Sequence, residues 1–286
     1  YREVIYMLLR EDYLSKIRGF YDSDLIKILV GIRRCGKSVI LNLFQDYLVE
    51  QGVNRENIVF YNFEHPDNFK LSEYASLYAD IQAKTTNLVG KIYFIFDEIQ
   101  EVADWQKLVN GLRVAFDADI YITGSNANLL SGELATYLAG RYMEMTVYPL
   151  SFAEFVAFNQ YLGSSKPIEE QFTEYMQWGG FPNLPSIKDE TIKRDMLKGI
   201  YSSIVLKDVA SRGAIREVNV LERVITYLLD IIGQTVSVKK IADTLTSSGL
   251  KTNSASVDRY VQLLTESFIF YEASRYDIRG KARLKT

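Results

Sequence analysis

Gly31, Gly36, Lys37 and Ser38 stand in the stretch GIRRCGKS at the spacing G-x-x-x-x-G-K-[ST]. Two glycines so placed let the backbone curl until successive N–H groups point inward, the geometry that holds a phosphate. A helix beginning at Ser38 adds the positive end of its dipole. Lys37 reaches the outer phosphates of a triphosphate, and the Ser38 hydroxyl is a ligand for Mg2+. The expected nucleotide contacts are therefore Gly31, Ile32, Arg33, Arg34, Cys35, Gly36, Lys37, Ser38 and Val39. A glycine-rich turn in some other α/β protein is the competing reading.

Three further groups fit the same chemistry. In Lys91–Gln100, KIYFIFDEIQ, an apolar strand ends in adjacent carboxylates. Asp97 would hold the metal directly or through water, and Glu98 would orient and deprotonate the attacking water. In Tyr121–Ala127, YITGSNA, Ser125 or Asn126 would bond the terminal phosphate or that water. A polar turn capping the next helix explains those two residues equally well. In LAGRY, the Arg141 guanidinium suits charge building on a transferring phosphate, within its own subunit or across an oligomer interface. An ordinary surface ion pair is the alternative. Arg33 and Arg34 either touch nucleotide or pair with the protein body.

The elements that must position these groups follow from hydrophobic spacing. Five β-rich runs are expected at Leu25–Val30, Ile58–Phe63, Ile92–Phe96, Ile120–Thr123 and Met143–Tyr148. Three are near-continuously apolar, as strands buried on both faces are, and the last alternates like an edge strand. Helical patterns such as Val39–Val49 and Leu71–Thr85 lie between them, which argues a parallel sheet with crossover helices. A helix is expected over Tyr1–Phe20, ended by Gly19. Ser151 and Glu154 form an S-x-x-E capping box, so another starts at Phe152. Residues 151–210 read as mostly helical, broken at Gly163–Pro167 and at Gly179–Pro182. Helices at Val220–Ile232, Val238–Leu245 and Ser254–Phe268, a β-like run Ile269–Ser274 and a turn at Asp277–Gly280 have the order of a winged helix-turn-helix.

The 286 residues, 48% apolar and 24% charged, are enough to bury a sizeable core, and two or more domains fit the length. Net charge is −3, so overall charge does not mark a polyanion binder. The sign is uneven: residues 236–286 carry a net +4 and residues 1–235 a net −7. A basic tail is a hint of DNA binding through 236–286, although the charges from Lys251 to Ser267 cancel. One cysteine, Cys35, excludes an internal disulfide, and one histidine, His65, reads as an exposed loop residue. No signal peptide and no membrane-length apolar run is visible, so a cytoplasmic protein is expected.

Taken together, GIRRCGKS, FIFDEIQ, YITGSNANLLSGELATYLAGRY, VYPLSFAEF, GGFP and YSSIVLKDV resemble the prokaryotic AAA-type ATPases that carry a C-terminal domain of unknown function. The likeness runs in order along nearly the whole chain. It implies an α/β P-loop core with a five-stranded parallel sheet of order 5-1-4-3-2, a helical lid and a winged helix. The expected boundaries are 1–149, 150–212 and 213–286, with the wing cut short at Thr286. It also implies ATP with Mg2+, Lys37 and Ser38 as Walker A, Asp97 and Glu98 as Walker B, and Ser125 near the sensor position. The expected activity is ATP hydrolysis coupled to conformational change or assembly on an unknown protein partner, with a homo-oligomer in view. The alternatives are nucleotide-dependent DNA binding and an ATP-gated scaffold that turns over negligibly.

Overall fold

The computed structural model describes residues 10–273, apart from 131–137, 139 and 212. The chain divides after Ser202 into two compact units. The expected first part of the N-terminal helix and the basic residues Arg275, Arg279, Lys281, Arg283 and Lys285 lie outside the described residues.

The first unit is a parallel sheet with helices on its connections. Its elements run α1 (Glu11–Gly19), β1 (Ile26–Val30), α2 (Lys37–Glu50), β2 (Ile58–Asn62), α3 (Tyr74–Thr85) and β3 (Ile92–Asp97), continuing through α4 (Trp105–Ala115), β4 (Ala118–Gly124) and β5 (Tyr142–Thr146). The order across the sheet is β2-β3-β4-β1-β5, which from the other edge reads 5-1-4-3-2. All four pairings are parallel. β1 and β3 are buried along their whole length, as central strands covered on both faces must be. β2 and β5 are the edges, and β5 shows one buried residue in five. In α4, Trp105, Leu108, Val109 and Leu112 fall on one face and all are buried.

The central strands also contain a buried ion pair that no apolar pattern announces. Lys27 of β1 and Asp119 of β4 are both essentially inaccessible and bonded to each other. The Tyr121 hydroxyl donates to the same carboxylate at 2.8 Å, and the Asp22 N–H does so at 2.9 Å. Every charge is thus paired, which a buried ion pair requires.

After β5 come α5 (Phe152–Tyr161), α6 (Ile168–Trp178) and α7 (Glu190–Ser203). The capping box at the start of α5 is complete: the Glu154 N–H donates to Ser151 Oγ, and the Ser151 N–H donates to Glu154 Oε2.

The second unit opens with a π-helical stretch, Ile204–Ser211, followed by α8 (Val218–Asp230), α9 (Val238–Ser247) and α10 (Ser254–Glu266). Val209, Leu221, Val224, Ile241, Val257 and Leu264 meet in its core. The strand expected from Ile269 is not formed over 269–273. The chain instead turns at Phe268, which has φ +60. The N–H groups of Ile269 and Phe270 both bond back to the Leu264 carbonyl, and their side chains pack on the helical core. The first two donors of the expected strand are thus taken by the helix end. Among the described residues, no helix is long and apolar enough to cross a membrane.

Candidate phosphate-binding site

The C-terminal ends of β1, β4 and β3 lie side by side, with β4 in the middle. The register sets Val30 against Gly124 and Phe96 against Ile122. The three sequence-predicted segments therefore end at the same edge of the sheet, where open α/β sheets bind ligands.

The loop begins flush against the chain that follows β5. Gly31 has φ +153, and a Cβ there would stand 2.1 Å from the Val147 carbonyl oxygen. No side chain fits without moving that backbone. Gly31→Ala should therefore lower stability by about 2–3 kcal/mol in urea denaturation, the range of an overpacked site, and weaken nucleotide binding with it. An unchanged unfolding midpoint would contradict this account of the loop. Arg34 at φ +67 and Gly36 at φ +105 complete the curl.

Lys37 is folded back into the loop. Its Nζ donates to the carbonyls of Gly31 at 2.9 Å and Ile32 at 3.3 Å, and lies 3.4 Å from Glu98 Oε1. Burial works against the ammonium, but the carboxylate of Glu98, with that of Asp97 behind it, outweighs it and holds the Lys37 pKa above its usual value. The lysine is therefore charged.

Asp97 is buried at the end of β3. It accepts from Thr123 Oγ1 at 2.6 Å and from the Ser38 hydroxyl. Burial pushes its pKa up, and those two donors offset part of the rise. Thr123 also accepts the Glu98 N–H at 2.9 Å, so one hydroxyl of β4 sets both carboxyl residues. Glu98 sits at φ +56, a region unfavourable for a residue with a Cβ. Burial opposes its charge, but Lys37, the Gln100 amide, Arg33 and the Ser125 hydroxyl together hold its pKa below the usual carboxylate value.

Among the described residues, no three His, Cys, Asp or Glu side chains gather as a metal cage. One carboxylate and one hydroxyl, Asp97 and Ser38, meet at the foot of the loop. That donor set fits Mg2+, which takes few protein ligands and completes its shell with phosphate and water.

Arg10 belongs to the same neighbourhood and carried no motif. Its buried guanidinium donates to the Cys35 carbonyl at 2.6 Å and the Tyr148 carbonyl at 3.0 Å, and pairs with Glu154 at 3.4 Å. A Cβ on Gly36 would lie 3.6 Å from Arg10 Nη2 and 3.9 Å from Pro182 Cγ, so the G-G-F-P turn also borders the loop. Arg10 precedes an amphipathic helix, and only that helix's spacing was legible.

The remaining candidates separate. Ser125 is buried within hydrogen-bond reach of Glu98 and Gln100. Arg33 pairs with Glu64 beyond β2 while its charge still acts on Glu98. Arg34 is exposed. The Cys35 thiol is fully buried and its pKa is pushed up by burial, which makes it loop filling rather than a nucleophile. His65 is exposed and accepts the Asp67 N–H at the start of a short 3-10 turn.

Arg141 requires a correction. As a residue acting on the loop of its own chain it is misplaced, because its carbonyl accepts the Ile26 N–H at the start of β1. The loop leaves the other end of that strand, about 17 Å away for five residues at ~3.3 Å each, beyond an arginine's reach. Arg141 is exposed there.

The chain is similar to several known proteins. The model of an AAA domain matches residues 23–156, and that of a domain of unknown function (DUF8612) matches residues 169–286. An uncharacterized protein of Haemophilus influenzae is 46% identical over 280 residues, covering 98% of this chain and 70% of that protein. An uncharacterized protein of Methanocaldococcus jannaschii, MJ1544, is 29% identical, covering 90% of this chain and 58% of its own length. Among solved structures, the Aeropyrum pernix ORC1 protein in complex with DNA is similar at a TM-score of 0.44 and 14% identity, covering 90% of this chain and 83% of that one.

Proposed function

Because this chain belongs to the family in which an AAA domain is followed by a domain of unknown function, we propose that it binds ATP with Mg2+ at Gly31–Ser38 and hydrolyses it. The cycle would change its conformation or its assembly on a partner, with residues 150–212 as the lid. The observation that carries this reading is the convergence of Lys37, Asp97 and Glu98 at one sheet edge. Lys37 lies 3.4 Å from Glu98, and Asp97 bonds the Ser38 hydroxyl.

Each residue then has a role that its surroundings support. Lys37 exchanges the Gly31 and Ile32 carbonyls for phosphate oxygens. Mg2+ held by Ser38 and Asp97 would neutralise charge on the phosphates. Glu98, kept anionic, accepts the proton of the attacking water. Ser125 helps to hold Glu98. Arg141 acts on a neighbouring subunit, which makes a homo-oligomer part of the proposal. ATP is preferred to GTP because the sequence has no Asn/Thr-Lys-x-Asp element to read guanine.

Phosphate release from ATP is expected to need Mg2+ and to stop when EDTA is added, with GTP turned over more slowly. Binding of ATP without any release would favour the scaffold reading instead. The helix order of α8 to α10 supports a second reading, binding of duplex DNA by the second unit. It is the weaker one: Arg259 of α10 donates to the Gly213 carbonyl at 2.7 Å, and the charges from Lys251 to Ser267 cancel.

A further inference from the structure

We propose that Gln100 is the positioning residue for Glu98, fixing how its carboxylate faces the attacking water; this rests on the ATPase reading above. Gln100 lies in the short turn Ile99–Glu101 that follows Glu98. Its Nε2 donates to Glu98 Oε2 and, at 3.5 Å, to Ser125 Oγ. One amide thus ties the carboxylate beyond β3 to the hydroxyl beyond β4.

The other half of that amide is left without a partner. Gln100 Oε1 is buried and, among the described residues, accepts no hydrogen bond. It stands 2.9 Å from where a Cβ on Gly124 would be, and the Leu129 methyls come within 3.0 Å of the same point. Turning the amide over would set its carbonyl against the Glu98 carboxylate and its N–H groups toward Gly124. The orientation is therefore dictated by Glu98. A buried acceptor without a donor is destabilising, and such exceptions in a folded protein call for a reason. Here the reason is the service of Nε2 to Glu98. Gly124 contributes as well, because a side chain there would displace the amide.

The arrangement also explains what happens to Glu98 when a triphosphate enters. In this structure Glu98 Oε1 faces Lys37 and Oε2 faces Gln100. Lys37 turns to phosphate and releases Oε1 as the acceptor for water. Gln100 and Ser125 remain on the carboxylate and preserve its direction. A base held by a neighbour that does not touch substrate is the arrangement by which orientation contributes to rate.

Gln100→Met tests this, since it keeps length and approximate volume and removes only the amide. Measured by phosphate release, its kcat should fall about tenfold or more while KM and the ATP Kd stay within about threefold, the signature of an interaction made toward the transition state. Its Tm reports folding only, because loss of the unpaired carbonyl is offset by loss of the buried bond to Glu98 Oε2. Gln100→Asn keeps an amide one methylene too short for Glu98, and the same fall is expected; it decides the matter should the methionine variant not fold. Unchanged kcat in a folded variant overturns the proposal, as does a raised Kd with kcat unchanged. Turnover that is abolished by Lys37→Ala but untouched by Gln100→Met removes the Gln100 role alone. An unsubstituted protein that releases no phosphate overturns the ATPase reading and the Gln100 role together.

Discussion

Lys37→Ala should abolish phosphate release and weaken ATP binding about a hundredfold, equivalent to ~3 kcal/mol. The size of the effect follows from where the ammonium lies. It is buried, it bridges the Gly31 and Ile32 carbonyls, and it faces Glu98 at 3.4 Å. Truncation removes the positive charge on which a terminal phosphate would rest. It also strips Glu98 of its nearest counter-charge, so the two anions would face each other unscreened in a buried site. Some folding stability should go as well, about 1–3 kcal/mol for the buried acceptors left unpaired. Titration with an ATP analogue reports the first effect, and urea denaturation separates out the second. Turnover at the normal rate in a folded Lys37→Ala protein would mean that the loop is not the catalytic one.

Glu98→Gln should give the opposite pattern: ATP affinity retained, with kcat reduced by about 10²- to 10⁴-fold, the usual contribution of a positioned base. The shape of the side chain is unchanged and Lys37 keeps both loop carbonyls. What is lost is an acceptor for the water's proton. The base is well prepared, because Lys37, the Gln100 amide, Arg33 and the Ser125 hydroxyl outweigh burial and keep Glu98 ionised. The variant should therefore accumulate in the ATP-bound state. Single-turnover measurement with bound nucleotide quantified on the protein distinguishes this from simple loss of binding. A kcat within threefold of the unsubstituted protein would remove Glu98 from the role.

The loop and the acid pair were legible because their chemistry is local. Four residues at fixed spacing make the curl of Gly31–Ser38, and an apolar run ending in Asp97 and Glu98 places both carboxyls at a strand end. Strand alternation and the Ser151/Glu154 box were readable for the same reason, since each depends on neighbours within a few positions. Arg10 was not legible: its partners Cys35, Tyr148 and Glu154 lie 25, 138 and 144 residues away in sequence. Thr123 looked like one more residue of a β-strand, yet it bonds both Asp97 and the Glu98 N–H. Lys27 interrupts an apolar run, and only Asp119 across the ladder makes its burial tolerable. Ile269 and Phe270 look like a strand by residue type, but the Leu264 carbonyl takes their N–H groups first.

By itself, then, the sequence determined which side chains form the Gly31–Ser38 curl and the acidic strand end, because backbone curl and hydrophobic period are short-range properties. Only the tertiary structure decided that Arg10 buttresses the loop, that Gln100 and Ser125 converge on Glu98, and that Arg141 stands at the far end of β1. Those outcomes depend on the order and register of strands far apart in the chain, where shifting one pairing would move every attached side chain to a different place.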